Sequence, residues 1–344
     1  TLLASSAASD VYKRQLLCYN VPIMKNYIVF DLEWNQSIEG KEHSIEHFPF
    51  EIIEIGAVKL DERRNMVSEF HGLITPQVYV ELHRKILEVT HMDMETLKRE
   101  GRLFPEVIKE FLEWCGPDCR FCTWGAMDLT ELQRNMEYYQ VEIPFERPLY
   151  YLDIQKLYAL QKGNGKERVS LDRAVEELEL LEERPFHRAL DDAYYTGKVM
   201  QEIDLETWGK YLSIDYYWIP GRRAEEIYLE FPTYAKYVSR GFETKEEILA
   251  DKVVTDMICQ KCHRMLRKKM QWFSVNQKQY FCLAVCPEHG FVRGKIRIKK
   301  AEDGRLYGVK TMKLVDENAA QDVFRKKEEQ REKRRENRIR KVHR

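Results

Sequence analysis

The segment Tyr27-Ile28-Val29-Phe30-Asp31-Leu32-Glu33-Trp34 sets the strongest constraint on this chain. A β-branched and aromatic run of this kind predicts a buried strand, yet it ends on two carboxylates. Side chains alternate along a strand with period two, so Asp31 and Glu33 leave the same face. Two anions side by side after an apolar run are costly unless a cation neutralises them, the alternative being a strand end that opens into solvent.

The rest of the first 204 residues supplies a frame for that pair. Ile52–Val58 and Val67–Ile74 read as two further strands of an antiparallel meander. Helical patterns then cover Val80–Val89, Phe104–Trp114, Leu129–Tyr139, the region near 170–180 and residues 189–203, with short strands at Arg120–Trp124 and Leu149–Asp153. Three strands followed by alternating helix and strand predict an α/β architecture with a mixed sheet flanked by helices. Two more acidic positions stand out. Asp128 follows a strand and turn and opens an amphipathic helix, where an acid interacting with the helix dipole would be ordinary. In His187-Arg188-Ala189-Leu190-Asp191-Asp192, His187 and Asp192 lie about 140° apart on an ideal helix. They converge only if His187 sits in the loop before the first turn, which Pro185 favours.

In this order and spacing, Asp31-Leu32-Glu33, Asp128 and His187-x-Ala189-x-x-Asp192 resemble the three motifs of DEDDh-type, DnaQ-like 3′→5′ exonucleases. The resemblance covers residues 27 to about 203, and Phe50–Ala57 is similar to the second strand of that family. It implies an RNase H-like fold. It also implies two Mg²⁺ or Mn²⁺ ions held by Asp31, Glu33, Asp128 and Asp192, His187 taking the proton of the attacking water, and release of nucleoside 5′-monophosphates from a 3′ end. Leu32-Glu33-Trp34 is closer to the exoribonuclease and KapD-like branch than to polymerase proofreaders, so RNA is favoured over DNA.

Departures from the family pattern lie away from those acids. His91 stands where relatives often carry Gly, and Trp124 where an Asn is common. By resemblance, Leu87 or Met92 would wedge between terminal bases. Trp34 and Trp124 are candidate base-stacking residues, with core packing as the competing role. The group Cys115, Cys119 and Cys122 lacks a nearby fourth ligand and reads as packing.

Charge divides the chain. Residues 251–344 hold 26 Lys and Arg against 12 Asp and Glu, whereas residues 1–250 hold 30 against 45. An acidic body with a basic end fits a metal-using domain followed by a segment that meets a polyanion. Cys259-Gln260-Lys261-Cys262 and Cys286-Pro287-Glu288-His289-Gly290 flank strand-like stretches at 271–275 and 279–285, with 291–298 continuing the pattern. This layout predicts a zinc ribbon holding one structural Zn²⁺ through Cys259, Cys262, Cys286 and His289, with Cys282 as an alternative ligand. Interleaved basic and aromatic residues, among them Trp272, Phe273, Tyr280 and Phe281, suggest phosphate contacts with base stacking.

The expected organisation is therefore an assembly artefact over 1–23 with the natural start at Met24, because Asp10–Gln15 resembles a translated library-transposon end. A nuclease domain over 24–204, an aromatic-rich connector over 205–254, a zinc ribbon over 255–315 and a basic helical or disordered tail over 316–344 follow. With 33% charged residues and no apolar run near ~18 residues, membrane insertion is not expected, and cysteine usage suits a reducing cytoplasm. The expected partner is single-stranded RNA or DNA with a free 3′ end. A DNA proofreading or repair exonuclease and a catalytically silent nucleic-acid adaptor are the alternatives.

Overall fold

The structure, a computed structural model, describes residues 26–163, 165, 167–180 and 184–342, with side chains to residue 336. The expected artefact at 1–23 and the expected start at Met24 lie outside the described residues. Two compact units divide at Tyr217 and Trp218.

The first unit is built on β1 (Asn26–Asn35), β2 (Glu51–Asp61) and β3 (Met66–Leu73), followed by α1 (Arg84–Thr90), α2 (Met94–Glu100) and α3 (Phe104–Cys115). Next come β4 (Cys119–Thr123), α4 (Met127–Tyr138), β5 (Tyr150–Asp153), α5 (Ile154–Lys162), α6 (Leu171–Glu177), α7 (Ala189–Gln201), α8 (Leu205–Trp208) and β6 (Ser213–Ile214). The six strands form one mixed sheet in the order β3-β2-β1-β4-β5-β6. β1 pairs antiparallel with β2 and parallel with β4, so the meander expected for the first three strands is present.

Alternation along β1 divides its side chains between two layers. Ile28, Phe30 and Leu32 face a core shared with Val107, Ile108 and Phe111 of α3 and with Leu129 and Leu132 of α4. Asp31 and Glu33 point to the other side, where α7 packs. α7 approaches β2 so closely that a Cβ on Gly56 would stand 1.9 Å from the Leu190 amide nitrogen, which explains a glycine inside a strand. α1 begins at Arg84 rather than near Val80, because residues 77–83 are held extended by side-chain bonds described below.

The second unit carries β7 (Ile227–Phe231), β8 (Tyr234–Val238), α9 (Lys245–Ala250), α10 (Lys252–Thr255), β9 (Arg267–Asn276), β10 (Gln279–Cys286), β11 (Gly290–Lys300), β12 (Leu306–Leu314) and α11 (Glu317–Val342). Its six strands pair antiparallel in the order β7-β8-β12-β11-β10-β9. The strands expected of a zinc ribbon are thus present as part of a larger sheet. The stretch 205–254, expected to be a connector, is divided: 205–217 complete the first unit through β6, and 227–238 supply two strands here. α11 is more than a solvated tail at its start, where Ala320 and Val323 are buried against Met270, Phe281 and Leu283. Among the described residues no helix is long and apolar enough to cross a membrane.

Candidate active site and zinc site

β1 delivers Asp31 and Glu33 to one face, and α7 brings Asp192 to them; one carboxylate oxygen from each of the three lies within 4.8 Å of the others. Asp128, at the start of α4 and 6% exposed, adds its charge to that of Asp31. Three of the four expected acids therefore converge, and the fourth stands close enough to act on them through its charge.

Crowding and burial make these acids unusually hard to ionise. Burial, followed by the charges of Asp128, Asp192 and Glu33, holds Asp31 well above the usual carboxylate range. Glu33 is pushed up to about 8 by burial and then by Asp192, Glu54 and Asp128. Asp128 rises to about 7 and Asp192 to about 6, burial being the largest cause in both. Clustered carboxylates with no compensating cation behave in this way, and a divalent ion would reverse the shifts. The donor set is all hard oxygen, which fits Mg²⁺ or Mn²⁺.

His187 lies in the loop before α7, as convergence with Asp192 required. Its backbone is left-handed (φ 69°), its side chain is exposed, and its amide donates to Asp192 Oδ1 at 3.2 Å. A left-handed non-glycine residue costs energy that surrounding contacts must offset. They come from Arg188, whose guanidinium is clamped by Glu54 at 2.7 Å, and from the Ala189 amide, which donates to Glu54 at 3.3 Å. Asp191 is only partly exposed and lies 3.8 Å from Arg184.

Glu54 and Arg188 were missed as supporting residues by the sequence reading. The signal was present: Glu54 interrupts Ile52-Ile53-Glu54-Ile55, and an acid flanked by isoleucines in a strand needs an internal partner. Asn35 and Glu51 were missed too. Asn35 Nδ2 donates to the Tyr79 and Glu81 carbonyls, its Oδ1 accepts from the His83 amide, and Glu51 accepts from the amides of Gln77, Val78 and Tyr79. These bonds fasten the segment before α1 to the ends of β1 and β2.

The expected substrate contacts separate. Met92 is 4% exposed and packs with Ile53 and Leu97, so its side chain is core rather than wedge; Leu87 is 47% exposed and projects from α1. Trp34 is half-buried and packs on Phe50 with ring centres 5.6 Å apart. Trp124 leans on Tyr158 at 6.2 Å, and its buried Nε1 has no hydrogen-bond partner among the described residues. Cys115 and Cys122 are core residues, and Cys119 is half-buried and packs against the cluster that contains Cys115.

In the second unit, Cys259, Cys262, Cys286 and His289 bring one ligand atom each within 4.8 Å of the others. The Cys286 sulfur is 3.5 Å from His289 Nδ1 and 3.6 Å from the Cys262 sulfur. Burial raises the Cys286 thiol, but bonds from His289 and nearby amides outweigh it and bring the pKa to about 6, close to thiolate chemistry at neutral pH. Three soft sulfurs and one imidazole suit tetrahedral Zn²⁺. Cys282, the alternative ligand, shares a face of β10 with Cys286 but sits four residues before it, in the core beside Gly294 and Met257 and outside the four-ligand group, and burial pushes its thiol up to about 12. The segment leading to Cys259 is fixed by fully buried Lys310, which donates to the Val253 and Asp256 carbonyls, and by Trp272, which donates to the Thr255 carbonyl.

A mixed sheet with an acidic cluster on its central strand, closed by a His-bearing loop and helix, defines a 3′→5′ exonuclease of the DEDDh class. The Exonuclease family model, RNase T, matches residues 28–200, half of the chain, and the chain belongs to that family. No curated protein matches it. Among solved structures it is similar to a full-length 3′-exonuclease, with 19% identity over 56% of this chain and 85% of that one and a TM-score of 0.46. The nuclease domain of 3′hExo bound to rAMP, a DEDDh family member, is 20% identical over 56% and 96% of the two chains, with a TM-score of 0.46. Pop2p of S. pombe, in its Mg²⁺ and Mn²⁺ bound form, is 15% identical over 58% and 90%, with a TM-score of 0.39.

Proposed function

We propose that this chain removes nucleoside 5′-monophosphates one at a time from the 3′ ends of single-stranded RNA, in the cytoplasm. The observation that carries this reading is the meeting of Asp31, Glu33 and Asp192 within 4.8 Å, with Asp128 coupled to them electrostatically. Asp31, Glu33, Asp128 and Asp192 would hold two Mg²⁺ or Mn²⁺ ions, which when bound supply charge neutralisation at the attacking and leaving oxygens. His187, exposed at the edge of the acidic cluster, takes the proton of the attacking water through its imidazole. Glu54 and Arg188 keep the loop that presents it in place. RNA is favoured over DNA because Asp31-Leu32-Glu33-Trp34 resembles the exoribonuclease branch. Cys259, Cys262, Cys286 and His289 would hold one Zn²⁺ that ties the end of β10 to the Cys259 knuckle.

The test is incubation of 5′-labelled single-stranded RNA and DNA of matched sequence with Mg²⁺ or Mn²⁺, using Asp31→Asn as control. A one-nucleotide ladder shortening from the 3′ end, lost in the variant and faster on RNA, is the expected result. Faster shortening of DNA would reassign the substrate. Salt-sensitive binding with no ladder under either metal would make the chain an adaptor.

A further inference from the structure

β11 carries cations at alternate positions. Arg293, Lys295 and Arg297 share one face of the sheet, and pairing with β12 places Lys313 beside Arg293. α11 packs against this same face and contributes Lys326; the ammonium groups of Lys295 and Lys326 lie 5.6 Å and 5.0 Å from the Phe281 ring. Among the described residues, none of these five cations forms an ion pair. Elsewhere in the unit, Arg222, Arg240, Arg264 and Arg305 are all matched by carboxylates. Burial, then Arg297, Arg293 and Lys326, hold the Lys295 ammonium below its usual range, as expected where like charges accumulate.

The arrangement is linear. Residues two apart on a strand are separated by ~6.7 Å, so the β11 cations span ~13 Å, with Lys313 and Lys326 widening the track. A line of unpaired cations matches a chain of phosphates better than a single compact anion, which would need convergent donors. The rings expected to stack on bases are engaged elsewhere. Phe281 is buried beneath α11, Phe273 packs in the same cluster, and Trp272 and Tyr280 pack against the core on the opposite face.

We propose that Arg293, Lys295, Arg297, Lys313 and Lys326 form a binding track for the phosphodiester backbone of a polynucleotide, read by charge and without regard to base sequence. The choice of polynucleotide as the polyanion rests on the nuclease reading of the first unit. Phosphate contacts of this kind release counterions and lose affinity steeply with salt.

The experiment uses the full chain carrying Asp31→Asn, so that substrate survives, and follows fluorescence anisotropy of labelled single-stranded 20-mers between 50 and 200 mM salt. Adding Arg293→Gln, Lys295→Gln, Arg297→Gln and Lys313→Gln should weaken binding at least tenfold at low salt. It should also flatten the log–log salt slope by about 0.7 for each phosphate left without a cation, equally for oligo-U and oligo-A. Unchanged affinity and slope, or a weakening confined to one base composition, would overturn the proposal. Should the fourfold variant unfold, Arg297→Gln with Lys313→Gln, both on exposed side chains, reads the same quantities at smaller amplitude. Cleavage of a dinucleotide by the chain with Asp31 intact is measured alongside. Its absence would count against the nuclease reading, while the binding result judges the track by itself.

Discussion

Glu33 and Glu54 stand directly opposite each other across β1 and β2, yet their carboxyls are driven in opposite directions. Glu33, among other acids, is pushed up to about 8. Burial would also raise Glu54, but hydrogen bonds from His71 at 2.6 Å and Arg188 at 2.7 Å outweigh it and hold Glu54 below its ordinary value. One member of the pair is left for a cation from solution; the other is already neutralised by the protein.

Removing that internal neutralisation should loosen the His187 loop. Glu54→Gln leaves the Arg188 guanidinium without its counter-charge, and breaking a largely buried pair costs ~3 kcal/mol. Because the Glu54 pKa is lowered on folding, its contribution is present above the ordinary carboxylate range and disappears as pH falls through the folded value. Urea unfolding of the parent and the variant should therefore differ at pH 7 and converge toward pH 3. A difference that persists unchanged at pH 3 would remove the ionic explanation. Turnover on RNA should fall at least tenfold, since His187 and Asp192 are set by the same contacts.

The acidic cluster predicts the reverse pH dependence. Its folded-state pKa values are raised, so the folded protein binds more protons than the unfolded chain. The associated stability is complete below about pH 4 and is lost as pH rises through the values near 6, 7 and 8 of Asp192, Asp128 and Glu33. In buffer free of divalent ions the thermal midpoint of the first unit should fall between pH 5.5 and pH 8, settings chosen to bracket these values. Millimolar Mg²⁺ should restore it at pH 8 and do little at pH 5.5. Asp31→Asn should flatten the fall and blunt the Mg²⁺ response. A midpoint insensitive to Mg²⁺ at pH 8 would contradict metal binding by these residues.

The parts of this site that were legible in sequence were those fixed by local periodicity. Alternation along Tyr27–Trp34 places Asp31 and Glu33 together whatever the rest of the fold does, and the loop before α7 follows from Pro185 and the helical pattern after it. What could not be read was which surface each face meets. Phe273 and Phe281 look like stacking residues among basic neighbours until the first turns of α11, with only Ala320, Val323 and Phe324 as an apolar stripe, are found lying over them. Met92 looks like a wedge until Ile53 and Leu97 close around it. The strands Ile227–Phe231 and Tyr234–Val238 alternate only weakly, because Tyr228 and Tyr237 are buried on one face while Ile227, Leu229 and Phe231 are buried on the other. Lys310, fully buried in a strand, has no sequence signature, since its partners are two backbone carbonyls.

His91 offers a test of backbone strain at a position where relatives often have glycine. It caps α1 in the left-handed conformation, with φ 54° and ψ 18°, and its amide bonds to the Leu87 carbonyl. A side chain there costs ~1 kcal/mol that glycine would avoid. His91→Gly should therefore raise stability by up to ~1 kcal/mol, although glycine's freedom in the unfolded chain offsets part of it. Denaturant titration would show the change as a higher midpoint at constant slope. A lower midpoint would mean that the His91 side chain makes contacts worth more than the strain.

The zinc site gives the sharpest separation between structural and catalytic metal. Cys259, Cys262, Cys286 and His289 close a four-ligand set, and a closed set leaves no position for a substrate. One zinc per chain is expected by elemental analysis. Cys286→Ser should abolish zinc retention and destabilise the second unit by several kcal/mol, because metal binding at such sites is coupled to folding. Cys282→Ser removes a core thiol that lies four residues before Cys286 on β10 and outside the four-ligand group, so zinc stoichiometry should remain one. Zinc released from Cys282→Ser and kept in His289→Ala would exchange the fourth ligand. Dinucleotide hydrolysis supported by Mg²⁺ should survive Cys286→Ser at near-parental rate, since the carboxylates that serve it belong to a separately packed core; a collapse of that rate would assign the zinc cluster a part in the chemistry.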